Sequence, residues 1–245
     1  MKKTLSLIIL LIISIQVYAA PPKNFSTAKK EARKVFSDNR ETLYCGCKYD
    51  KYNRVDLKSC GMNSKKKSKR AHRVEWEHIV PASSFGQHHK CWRVKLCTKN
   101  NGKKYKGRKC CEKIDKKFRR VEAELYNLWP SVGSVNQYRS NYRYTEFHPE
   151  SISPKYFYQG CPIVKKKVIN KTIRIEPRNE VKGIVARANL FMSHKYSIKL
   201  SKGQRRLFDS WSRRFPPTVR EIKWSQKVSV IEGYSNPYIS KYRKP

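Results

Sequence analysis

The stretch RVEWEHIVPA, residues 73–82, alternates in part, is rich in β-forming side chains and is closed by Pro81. It reads as a strand. That strand carries an acid, Glu77, beside a histidine, His78. Neighbours on a strand point to opposite faces. A site using both must therefore give each side chain its own task. A neutral imidazole near pH 7 can take a proton from water, and a carboxylate oxygen suits a hard cation such as Mg²⁺.

Around this strand the 245-residue chain is 38% hydrophobic and 12% aromatic, too apolar for a disordered polycation and long enough to bury a core. Helical spacing runs from Phe25 to Leu43, with Ser26 or Thr27 as its cap. It recurs from Asp115 to Tyr126 through Phe118, Val121 and Leu125. LWPSVGS (128–134) breaks that pattern with Pro130 and Gly133, and a short helix carrying VNQYRSN (135–141) follows. CPIVKKKVINKTIRIEP (161–177) reads as a β-hairpin. Three amphipathic helices close the chain, one at GIVARANLFM (183–192), one at QRRLFDSWSRRF (204–215) and one near Val228 and Ile231. No linker divides the sequence. The fold class expected is α+β, a single helix-rich mixed domain over residues 20–245.

Residues 1–19 stand apart. Lys2 and Lys3 precede an apolar run from Leu5 to Ile15, and VYA fits cleavage after Ala19. This is the layout of a removed secretory signal peptide, so export to the periplasm or medium is expected, with no membrane span in the mature form. All eight cysteines follow it, an even number that in an exported chain implies up to four disulfides. CGC and KCC lack the spacing of a zinc knuckle. Four of the cysteines staple a basic excursion at residues 91–111, and SKKKSKR (64–70) reads as a solvated charge run.

The formal net charge is +38. A surface of that sign needs a polyanionic partner, and nucleic acid leads over acidic lipid or polysaccharide. Phosphodiester hydrolysis requires an activated nucleophile, neutralisation of the phosphate and protonation of the leaving oxygen. His78 can serve the first. A metal on one or two protein oxygens can serve the second and bring a water for the third. Glu77 alone is a poor Mg²⁺ site, so a second oxygen is needed. Asn127, Asn136 and Asn141 offer one, with Asn136 modestly favoured because nothing local requires it. Other chemistries lack their marks: no G-x-S-x-G, no phosphate-binding G-x-x-x-x-G-K loop, no H-E-x-x-H, and only Glu75 with Glu77 to imitate a glycosidase pair.

CGCKYD (45–50), DLKSCG (56–61), RVEWEHIVPASSFGQ (73–87), CWR (91–93), NLWPSVGSVNQYRSN (127–141), GIVARANLFM and NPY (236–238) follow in an order that resembles the bacterial endonuclease I family, nucleases of the ββα-metal group. The resemblance implies a ββα-metal finger gripping one Mg²⁺, with Mn²⁺ or Ca²⁺ as substitutes. It implies His78 as general base, with Glu77 and Asn136 as metal ligands. It also implies an arginine at the scissile phosphate. Arg108 in GRKCC is its counterpart, with Arg93 and Arg139 as alternatives, and these two with Asn127 are candidate substrate contacts. The loop after CWR is longer than the family's, and the family's C-terminal cysteine pair is missing, so Cys97 is expected to pair with Cys110. A monomer cutting double- and single-stranded DNA, and RNA, to 5′-phosphorylated fragments follows from the resemblance. The competing reading is a non-catalytic cationic binder of nucleic acid or envelope polyanions.

Overall fold

The computed structural model describes residues 20–63, 68–168 and 171–242; the expected leader and the first part of the charge run at 64–70 lie outside them. Helix α1 (Phe25–Val35) buries Ala28, Ala32 and Val35. Its cap is Asn24, slightly earlier than the composition suggested, because Thr27 sits third in the helix and returns the bond: Asn24 Oδ1 accepts from Thr27 N and Thr27 Oγ1 accepts from Asn24 N. The helix stops at Val35 rather than running to Leu43.

Strand β1 (Val74–His78) leads to α2 (Ala82–Gly86) and α3 (Lys90–Arg93). A small hairpin, β2 (Cys97–Thr98) and β3 (Lys104–Tyr105), and α4 (Arg108–Ile114) follow. Next come α5 (Lys116–Glu122), a 3-10 turn at Leu125–Asn127, β4 (Leu128–Val132) and α6 (Gly133–Arg139). The helix expected to reach Tyr126 ends at Glu122, and Leu125 N instead donates to Glu232 Oε1 at 2.9 Å.

The break expected at LWPSVGS is a strand. β4 pairs antiparallel with β1 in the register Val74↔Val132 to His78↔Leu128, placing Pro130 opposite Trp76. Proline is tolerated because this sheet has only two strands, so Pro130 lies on an edge where a missing N–H breaks no second ladder. Its carbonyl accepts from Leu43 N instead. Helix α6 leaves β4 with no connecting loop and folds back on β1.

Strands β5 (Arg143–Tyr144), β6 (Ile163–Lys167) and β7 (Ile173–Pro177) form a second sheet in the order β5-β7-β6, with β6 and β7 the expected hairpin. Helices α7 (Asn179–Tyr196), α8 (Lys202–Arg214), α9 (Val219–Glu232) and α10 (Pro237–Ser240) complete the chain. Gly183 lets α7 meet the end of α8: a Cβ there would lie 2.1 Å from the Phe215 carbonyl. The core joins Phe36, Trp76, Trp129, Trp224, Tyr126 and Phe191 in aromatic contacts between 4.5 and 6.1 Å. The class is the helix-rich α+β arrangement expected. All eight cysteines are paired, as Cys45–Cys161, Cys47–Cys60, Cys91–Cys111 and Cys97–Cys110. Among the described residues no helix is long and apolar enough to cross a membrane.

Candidate active site

His78 ends β1 and is buried. Its ring packs 4.7 Å from the Phe25 ring and 6.5 Å from that of Phe85. Nε2 lies 2.8 Å from the carbonyl oxygen of Glu122. A carbonyl only accepts, so Nε2 carries the hydrogen and Nδ1 the lone pair. Among the described residues Nδ1 has no hydrogen-bond partner. Burial, and secondly the charge of Arg108, push the pKa down to about 3, so the ring is neutral.

The backbone beyond His78 is clamped by Asn127. Its Oδ1 accepts from Val80 N at 2.7 Å, and its Nδ2 donates to Val80 O at 3.0 Å. Asn127 is fully buried. Both ends of its amide are occupied by backbone, which leaves none for a substrate.

Glu77, also buried, faces a different environment. Its Oε1 accepts from Tyr44 Oη at 2.7 Å and lies 3.2 Å from Arg139 Nε. Burial pushes this carboxyl up and Arg139 opposes the shift. Arg139 is 1% exposed, donating to the Ile79 and Ser140 carbonyls and to Tyr144 Oη. It is a counter-ion beneath the site. Arg93 is exposed and makes no ion pair among the described residues.

Glu75 shares the Glu77 face of β1, two residues away. It accepts two bonds from Arg70 (2.8 and 2.7 Å), two from Arg73 (3.2 and 2.9 Å) and one from Asn136 Nδ2 (3.1 Å). Burial works against its charge, yet the arginines hold its carboxyl below the usual range. Gly133, the first residue of α6, permits this closeness: a Cβ would stand 2.5 Å from the Arg70 carbonyl. Asn136 Oδ1 and Glu77 Oε2 accept no hydrogen bond among the described residues. Both are hard oxygens, a donor type that fits a divalent cation preferring oxygen and retaining water.

Arg108 begins α4. Its Nε donates to Glu122 Oε1 at 2.6 Å, and its guanidinium lies 5.0 Å above the Phe25 ring. Nη2 is buried without a partner. Glu122, pushed up to about 7 by burial with Arg108 opposing, thus serves two neighbours: its backbone oxygen orients His78 and its carboxylate holds Arg108. Sequence reasoning passed over Glu122 and Phe25. A signal for Glu122 existed: it stands four residues after Phe118 on the buried stripe of α5, an acid where an apolar residue belongs. Phe25 carried none, since an aromatic in a first helical turn reads as core.

A family model described as Endonuclease I matches residues 14–242. The chain is 34% identical over 234 residues to an extracellular deoxyribonuclease of Aeromonas hydrophila, covering 94% of this chain and 93% of that protein. A periplasmic deoxyribonuclease of the same organism is 33% identical, covering 97% of this chain and 94% of that one. Endonuclease-1 of Buchnera aphidicola subsp. Baizongia pistaciae is 36% identical over 220 residues, 89% of this chain and 83% of that one.

Proposed function

The chain belongs to the endonuclease I family, and from that membership we propose that it is an exported, monomeric nuclease hydrolysing DNA, and RNA, with one Mg²⁺ ion and His78 as general base. The observation carrying this reading is the fixed tautomer: Nε2–H is committed to the Glu122 carbonyl, and Nδ1 is left bare on a neutral ring. The four disulfides and the extracellular and periplasmic names of the relatives support export.

Glu77 and Asn136 would hold the cation, which when bound neutralises charge on the phosphate and its leaving oxygen. Mn²⁺ or Ca²⁺ could occupy the same oxygens. His78 Nδ1 takes a proton from the attacking water, whose oxygen bonds to phosphorus as the bond to the 3′ oxygen breaks, and that leaving oxygen takes its proton from a second water. The products are a 5′-phosphate and a 3′-hydroxyl. The spare Nη2 of Arg108, buried in this structure, would turn outward to a non-bridging oxygen when the substrate binds. Phe25 and Phe85 keep the imidazole dry and neutral. The dipeptide's opposed directions then have a use: Glu77 serves the ion and His78 the water.

The test is a supercoiled plasmid incubated with the protein in Mg²⁺ and in chelator. Nicking only with metal is expected, and His78→Ala should bind DNA without cutting it. Intact plasmid in Mg²⁺ would refute the proposal.

A further inference from the structure

Residues 90–109 carry nine cations and no acid. Their folding is unusually rigid for so charged a stretch. The β2–β3 hairpin pairs Cys97 with Tyr105 and Thr98 with Lys104, and its turn closes through Lys99 N to Lys103 O (3.0 Å) and Gly102 N to Lys99 O (2.9 Å). Gly102, at φ +78°, takes the left-handed position after Asn101. At the base Cys97–Cys110 and Cys91–Cys111 tie both ends to α4, and Gly107 N donates to Cys91 O at 3.0 Å. The result is a finger that cannot fold away.

Its charges are not used by the protein. Lys95, Lys99, Lys103, Lys104 and Lys106 are exposed and form no ion pair among the described residues. At the finger's root Arg108 turns inward to Glu122, and Lys109 pairs at the surface with Glu112. The finger therefore runs outward, covalently continuous with the arginine that stands over Phe25 beside His78.

We propose that this stapled hairpin is a second nucleic-acid contact, gripping the phosphate backbone of a duplex away from the bond being cut. The inference rests on the nuclease reading, since it takes its direction from Arg108. Nucleic acid fits better than lipid: a phosphate backbone presents regularly spaced charge to a rigid row of lysines. Val94 and Leu96 are the finger's only exposed large aliphatic side chains, too little apolar area to anchor on a membrane. The finger reads no sequence, because lysine to phosphate carries none.

The experiment compares the wild type with a variant bearing Lys95, Lys99, Lys103, Lys104 and Lys106 all changed to Ser. Binding of a labelled duplex of about 30 base pairs is followed by anisotropy in chelator across about 50 to 200 mM salt, and cleavage of that duplex and of a mononucleotide nitrophenyl diester is followed in Mg²⁺. The variant should bind the duplex at least tenfold more weakly. Its slope of log affinity against log salt should flatten by about 3 to 4, since each phosphate no longer neutralised removes about 0.9 from the slope. The ratio of duplex to diester cleavage should fall about tenfold through KM. Equal affinity and an unchanged salt slope would overturn the proposal. So would loss of binding to anionic phospholipid vesicles with duplex binding intact, which would reassign the surface to membrane. Absence of cleavage by the wild type would refute the nuclease reading, while the anisotropy would still decide the finger.

Discussion

The Phe25 ring lies 4.7 Å from the His78 ring, tilted by 41°, with the Arg108 guanidinium 5.0 Å above the same Phe25 ring. A residue of the first helical turn thus touches both groups proposed to act on the phosphodiester. Phe25→Ala should lower kcat about tenfold or more with KM for DNA nearly unchanged, because imidazole and guanidinium lose a common wall. Phe25→Tyr should restore most of it. The half-buried ring makes the stability cost modest, about 1–3 kcal/mol, below the range for a full core truncation. Steady-state kinetics beside urea melts separate the two effects.

His78 links stability to pH. Its folded pKa is depressed to about 3 from an ordinary 6.5, so between those values the unfolded chain binds a proton that the native chain refuses. Stability from this group is complete above pH 6.5 and is lost as pH falls toward 3. In chelator, the wild type should lose roughly 1 kcal/mol more per pH unit below about 6.5 than His78→Gln does. Urea melts near neutrality and at about pH 5 measure the difference, and parallel losses in both proteins would contradict the burial argument.

Asn127 and Asn136 should fail differently. Asn127→Ala leaves Val80 N and Val80 O without their buried partner, a cost of about 2–4 kcal/mol. Asn136→Ala removes only one side-chain bond, to Glu75. It should leave the melting temperature within a few degrees yet raise the Mg²⁺ concentration for half-maximal rate at least tenfold. A shift in metal dependence for Asn127→Ala alone would reverse the assignment.

Oxidation should matter at the finger. Cys97–Cys110 and Cys91–Cys111 flank Arg108, and they close loops of 13 and 20 residues. Loops of that length contribute about 3 kcal/mol each in the chain-entropy account. Cys97→Ser with Cys110→Ser should cut turnover several-fold and make the remaining activity sensitive to mild reductant. Full activity in a reduced, alkylated sample would show that Arg108 is placed without the staples.

Much of this was legible because local rules and tertiary needs agree. Val74–His78 carries the β-forming residues of a strand, and α8 and α9 announce their buried stripes, while α7 is buried nearly all round. Pro130 misled because the ladder it seemed to break has no second neighbour, a property of sheet topology. Within residues 127–141 pattern favoured Asn136 over Asn127 only modestly. Only tertiary pairing separates them: one amide is consumed by Val80 and the other keeps its oxygen. Glu122 was hidden because its main task is performed by a backbone oxygen, which no side-chain pattern encodes.

Arg108 and Glu122 allow those roles to be pulled apart. The Glu122 carboxyl is buried and Arg108, about a third exposed, opposes its upward shift, so removing the arginine drives that carboxyl to its neutral form at a cost discounted for solvent on one side. Arg108→Ala should therefore lose about 2 kcal/mol of stability and about a hundredfold in kcat. Adding Glu122→Gln replaces the unpartnered carboxyl with an amide but keeps the backbone oxygen that orients His78. The double variant should regain most of the stability and none of the rate. If the rate returned with the stability, Arg108 would be a structural partner of Glu122 with no part at the phosphate.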